Sequence, residues 1–288
     1  MTAGAYGPLL DAVRGVRWPA ARRVGGATLG AHPATLRGNS SEFSEFRPYR
    51  QGDDPRRVDW RLLARSDRAY VRLTTDRAVH RTVLLCDASA SMAFPLPSLD
   101  KWRLARELCV ALASVAHAAG DPVGLSLASQ APVALAPRAR RSVLAEMIGA
   151  LDGIAPTGAT ALAPLLASAR GARLVLITDL LGDADEIIAA ARLRVAAGDE
   201  VIVVHVLSPL ELVPPGDAVV AVDPEHPAVR RTLDGATRAA YDRALAAWLD
   251  DVRDRVRHAG AAYHRAATDE TTPRIVRRIA LGAGNSPK

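Results

Sequence analysis

The 288-residue chain carries 37 Lys and Arg against 31 Asp and Glu, a net charge of +6, and 49% of it is hydrophobic. A chain of this length can bury a large core, while no stretch approaches the roughly 18 to 20 uninterrupted apolar residues of a membrane span. The N-terminus lacks the short apolar core and small-residue cleavage site of a secretory signal, so a soluble cytoplasmic protein is expected.

The positive charge is almost wholly arginine, since Lys101 and Lys288 are the only lysines. Basic residues are spread along the chain rather than clustered with aromatics, so no nucleic-acid partner is expected. Cys86 and Cys109 fall inside an apolar strand and an apolar helix, which predicts two buried free thiols rather than a disulfide framework.

Residues 1–35 mix Gly, Pro, Ala and Arg without a sustained period. They are expected to be poorly ordered or loosely docked, with a short helix from Leu9-Leu10 to Val16. Residues 36–81 form an arginine-rich arm with aromatics at Phe43, Phe46, Tyr49, Trp60 and Tyr70. Within it Gly52-Asp53-Asp54-Pro55 predicts a tight turn, and the alternation in Tyr70-Val71-Arg72-Leu73-Thr74 predicts a half-exposed strand.

Residues 82–288 alternate between two patterns and are expected to form one domain. Apolar runs predict strands at 82–86, 123–129, 132–136, 174–178 and 201–207, with a short one at 261–265. Helical patterns cover 101–118, 141–151, 160–169 and 183–197. The stripe Tyr241, Leu245, Trp248, Leu249, Val252 and Val256 marks a long late helix, and a last one is expected at 272–280. Strands separated by helices, several apolar throughout, predict a doubly wound, mainly parallel α/β sheet covered on both faces. Residues 131–136 are expected to pair antiparallel at an edge. Five prolines make 208–235 a loop or short hairpin.

The most informative motif ends the first of these strands. Asp87-Ala88-Ser89-Ala90-Ser91 places one carboxylate and two hydroxyls, spaced by two, where doubly wound sheets bind ligands: beyond the carboxyl ends of their strands. Asp179 follows the strand at 174–178, and Thr160 sits on the loop Thr157-Gly158-Ala159-Thr160. Hydroxyl and carboxylate oxygens, with no His or Cys among them, suit a hard cation such as Mg2+ or Mn2+. An ion with a vacant position accepts an acidic side chain from a partner, which describes docking more than catalysis.

Other readings remain open at this point. An Asp-x-Ser-x-Ser triplet also caps helices, and the fold can persist without a metal. A serine hydrolase using Ser89 or Ser91 needs a histidine held by a carboxylate. His80 and His205 are nearest in chain order, though His205 lies within an apolar strand and reads as a core residue. No phosphate-binding loop of the G-x-x-x-x-G-K-[ST] type is present, so the chain is not expected to hydrolyse ATP, and a docking module rather than an enzyme is the expectation.

Asp87, Ser89 and Ser91, the Gly158-Ala159-Thr160 loop and Thr178-Asp179 together resemble the metal-ion-dependent adhesion site of von Willebrand factor type A domains. That resemblance implies direct contact of Ser89, Ser91 and Thr160 with the ion, with Asp87 and Asp179 acting largely through water. Leu180 stands where many such domains have glycine, a departure that bears on loop shape. The segment from Glu45 to Trp60, containing Gly52-Asp53-Asp54 and Val58-Asp59-Trp60, resembles the bacterial domain of unknown function family 58. The likeness runs from about residue 36 to the C-terminus. It implies a non-enzymatic interaction module working with a MoxR-type AAA+ ATPase, docking an acidic residue of a client protein onto Mg2+. Many relatives carry membrane helices before this segment and this chain has none there, which leaves peripheral membrane contact open.

Overall fold

The computed structural model describes residues 3–19, 29–33, 43–51, 53, 58–66, 68–74, 77–78, 80–214, 219–222 and 228–282. Six strands make the central sheet: β1 (Thr82–Asp87), β2 (Val123–Ala128), β3 (Val133–Arg138), β4 (Arg173–Thr178), β5 (Glu200–Leu207) and β6 (Ala262–Ala267). Their order is β6-β5-β4-β1-β2-β3. Every neighbouring pair is parallel except β2 with β3, which run antiparallel at the edge. The fold is therefore the doubly wound, mainly parallel α/β sheet that the alternation of patterns predicts.

Six helices cover this sheet: α1 (Asp100–Ala118), α2 (Val143–Asp152), α3 (Leu162–Ser168), α4 (Ala184–Ala196), α5 (Gly235–His258) and α6 (Thr272–Gly282). Successive strand side chains point to opposite faces, and two cores result. Leu84, Cys86 and Val204 meet Leu108, Leu112, Met147 and Ile279 on one face. Val83, Leu85 and Val203 meet Leu166, Ile187, Val252 and Val256 on the other. Burial on both faces explains why β1 and β4 read as unbroken apolar runs, each such side chain contributing about 1.5–3 kcal/mol. Cys86 and Cys109 are buried and free, as expected.

The chain leaves β1 toward β2 and β3, then returns to β4 on the opposite side of β1. The switch point of the sheet thus lies between β1 and β4. Within the proline-rich stretch the chain forms a short helix, Pro209–Leu212, and an antiparallel hairpin of Val219–Val222 with Arg230–Leu233.

The N-terminus departs from expectation. Ala3–Tyr6 and Gly7–Ala12 are helical, and Tyr6, Val13 and Trp18 are buried in the core built around α1. Arg173 of β4 fixes the segment's end. Its guanidinium lies 4.1 Å from the Trp18 ring centroid and donates to the Pro19 carbonyl at 2.8 Å, while its Nε reaches Glu200 at 3.0 Å. Residues 3–19 are therefore not loosely docked. A few aperiodic apolar side chains in a Gly- and Pro-rich background supply the anchors, and composition averages them away. Residues 20–28 and 34–35 lie outside the described residues.

Residues 1–21 belong to the same compact unit as 81–288, and residues 22–80 form a second unit. In that second unit Phe43–Pro48 pairs antiparallel with Tyr70–Thr74, and Leu29–Pro33 pairs with Arg77–Ala78. A turn closes just before the expected one: Asp53 N donates to Arg50 O at 3.0 Å, and Asp53 accepts from Arg47 at 2.7 Å, while the expected Gly52-Asp53-Asp54-Pro55 turn lies largely outside the described residues. The Asp59 carboxylate caps the helix Trp60–Ser66 by accepting from Leu62 N at 2.9 Å. Gly52 and residues 54–57 of the motif lie outside the described residues.

Candidate functional site

Asp87 closes β1, and the residues after it are tied to a distant loop by two backbone bonds. Thr157 N donates to Ala88 O at 3.0 Å, and Ala90 N donates to Gly158 O at 2.8 Å. Gly158 has φ +67, a conformation that glycine adopts without steric cost, so the loop can turn back here. This pairing brings Thr160 to Asp87, its hydroxyl donating to Oδ1 at 3.0 Å. Ser89 N donates to the same oxygen at 2.9 Å, and the Ser89 and Ser91 hydroxyls are 2.9 Å apart. From β4, the Thr178 hydroxyl donates to Asp87 Oδ2 at 2.8 Å.

Three donors favour the ionised carboxylate, yet its pKa is raised. Burial is the main cause and the charge of Asp179 the next, and together they outweigh the bonds from Ser89 and Thr178. Asp87 is thus a buried carboxylate whose hydrogen bonds do not fully offset its burial and the neighbouring charge of Asp179. A cation would supply what is missing.

Asp179 stands beside this cluster and acts on Asp87 through its charge, its hydrogen bonds going elsewhere. Its Oδ1 accepts from Leu181 N at 3.2 Å, and its Oδ2 accepts from Lys101 Nζ at 2.6 Å. Lys101, in the first turn of α1, also reaches Glu211 Oε1 at 2.7 Å. Burial alone lowers the Lys101 pKa, but the two carboxylates outweigh it and hold the ammonium above its ordinary value. Glu211 is itself fixed, its Oε2 accepting from Ser208 N at 2.7 Å. Leu180 takes the left-handed conformation at φ +55, and its N–H donates to Thr178 Oγ1 at 3.1 Å.

Of the five residues expected at the site, Asp87, Ser89, Ser91 and Thr160 are therefore brought together, and Asp179 adjoins them through its charge. Thr178, named with the motif but given no role there, bonds Asp87 directly, and Lys101 and Glu211 were not anticipated. A cavity of about 70 Å³ opens on the cluster, lined by Asp87, Ser89 and Thr160 on one side and by Asp183 and Glu186 on another. The connections that follow β1, β4 and β5 expose Leu96, Leu181, Leu210 and Val213.

The donor set fits a hard cation in kind, being hydroxyls and carboxylate with no imidazole or thiolate. Among the described residues no group of three or more His, Cys, Asp and Glu is disposed to hold a metal. An ion here would rest chiefly on hydroxyls and the single carboxylate of Asp87.

The histidines do not serve the serines. His205 Nδ1 pairs with Tyr263 Oη at 2.7 Å, its ring packs edge-on against Trp248, and burial pushes its pKa down to about 4. His80 precedes β1, so the strand's length separates it from Ser89.

A family model described as "Protein of unknown function DUF58" matches residues 45–248. Over 275 residues the chain is 32% identical to "Uncharacterized protein Rv1480" of Mycobacterium tuberculosis, covering 91% of this chain and 85% of that one. Among solved structures, BatB from Bacteroides thetaiotaomicron aligns over 73% of this chain and 100% of its own, at 16% identity and TM-score 0.46. The SpRpn10 VWA domain aligns over 69% of this chain and 94% of its own, at 10% identity and TM-score 0.41. No helix among the described residues is long and apolar enough to cross a membrane.

Proposed function

We propose that this chain, which belongs to the DUF58 family, is a metal-dependent protein-interaction module rather than an enzyme. Ser89, Ser91, Thr160 and Asp87 hold a Mg2+ or Mn2+ ion, with Asp179 contributing from outside the hydroxyl cluster. The bound ion supplies a Lewis-acidic point of attachment for an acidic side chain of a client. The chain's own residues position that point: β1 and β4 fix Asp87, and the Gly158 turn delivers Thr160.

The observation that supports this reading most is the state of Asp87. It is 3% exposed, receives three hydrogen bonds and still has a raised pKa, beside two hydroxyl-bearing turns and a cavity. The exposed Leu96, Leu181, Leu210 and Val213 on the connections around that end of the sheet give a partner apolar surface to cover. The hydrolase alternative has no such support, because a serine nucleophile needs a base within hydrogen-bond reach.

The motif likeness in the arm and the site supports a MoxR-type AAA+ ATPase as the partner, with the work done in the cytoplasm, in assembly or maturation of a client. Purified MoxR-type ATPase tested against the immobilised full chain checks this directly. Binding in Mg2+ that is lost in chelator and in Asp87→Ala supports the reading. Binding indifferent to metal and to Asp87 overturns the docking mechanism, and no binding in Mg2+ removes that ATPase as partner.

A further inference from the structure

Lys101 is 0% exposed, and its ammonium joins Asp179 at 2.6 Å and Glu211 at 2.7 Å. The three residues come from the connections after β1, β4 and β5, which are neighbours across the switch point. An ammonium taken wholly out of water is costly unless carboxylates surround it, and here two do. The buried charges at this end of the sheet are therefore one ammonium against Asp87, Asp179 and the half-buried Glu211.

We infer that Lys101 is a built-in counter-cation that sets how strongly the site takes a divalent ion. The inference rests on the proposed ion site and deepens it. By pairing with Asp179 and Glu211, the ammonium limits what Asp179 contributes and leaves Asp87 as the buried carboxylate of the cluster without a paired cation. It also places a like charge at the same end of the sheet as the incoming metal, and like charges in a protein interior repel. Lys101 therefore holds affinity down. Its role is positional, since it acts through Asp179.

A purely structural ion pair predicts the opposite sign. Removing the lysine would then disorder Asp179 and weaken ion binding or leave it unchanged. Under the counter-cation role, removal frees Asp179 and tightens binding.

The test is calorimetric titration of MgCl2 and MnCl2 into the full chain as wild type, Lys101→Met and Lys101→Met/Glu211→Gln. The double variant removes one carboxylate with the lysine, which limits the burial of unpaired charge and protects the fold, checked by circular dichroism. The expected result is binding about tenfold tighter or more in both variants. The melting temperature should also differ more between Mg2+ and chelator than it does in wild type. Equal or weaker binding by the folded double variant overturns the inference. Where wild type binds and Asp87→Ala does not, equal or weaker binding by the double variant sinks the counter-cation role alone. If no variant binds either ion, the inference and the ion reading fall together. Binding by the lysine variants but not by wild type supports the inference while removing the proposed function of the native chain.

Discussion

The Thr178 hydroxyl bridges two neighbouring strands, donating to Asp87 Oδ2 at 2.8 Å and accepting from Leu180 N at 3.1 Å. A hydroxyl can do both, whereas the similarly shaped valine can do neither. Thr178→Val is predicted to destabilise the chain by about 1–3 kcal/mol, because a buried donor and a buried carboxylate each lose a partner. Thr178→Ser should recover most of that loss. Urea midpoints of the three proteins check it, and a valine variant as stable as wild type would contradict the bridge.

Leu180 combines a left-handed backbone with a side chain that is 1% exposed. The backbone costs about 1–2 kcal/mol, while a buried leucine is worth about 2.7–5 kcal/mol against alanine. Burial wins, so Leu180→Gly should destabilise the chain although it relieves the backbone. Leu180→Ala should be worse, since it loses the side chain and keeps the strain. Thermal unfolding that ranked alanine above glycine would refute this account.

Trp18 should act as a core residue although it lies in the N-terminal segment. It is 2% exposed and stacked under Arg173. Trp18→Ala is predicted to cost about 3–5 kcal/mol, read from urea unfolding. A loss under about 0.5 kcal/mol, as for an ordinary surface site, would mean the segment is not anchored.

His264 gives the chain an acid limit. Burial first, then the charges of Arg278 and Arg257, push its pKa down to about 4 from 6.5. The folded state favours the neutral ring, so this contribution is complete above pH 6.5 and is lost as pH falls toward 4. A loss of about 3 kcal/mol between pH 7 and pH 4 is expected from this group. His264→Gln should flatten the corresponding part of the curve. Identical pH dependence in the two proteins would rule the histidine out.

The sheet was legible because its central strands are buried on both faces and announce themselves as apolar runs. The same strands mark the site, since Asp87 and Asp179 each end such a run and Thr160 follows a glycine turn. Lys101 was not legible. At the start of an amphipathic helix a lysine reads as solvent-facing, and its partners lie 78 and 110 residues away. One signal did point to it: in a chain whose cations are otherwise arginine, only two positions hold lysine. A compact ammonium fits between two carboxylates where a planar guanidinium requires a wider fork. The docked N-terminus escaped for a different reason, because its anchors, Tyr6, Val13 and Trp18, follow no period that pattern reading can detect.

Calorimetric titration of Mg2+ into the full chain, beside Asp87→Ala, tests the central claim most directly. The account predicts a saturable heat with one ion per chain in wild type, reversed by chelator, and no such heat in the variant. Equal and negligible heats from the two proteins would contradict it.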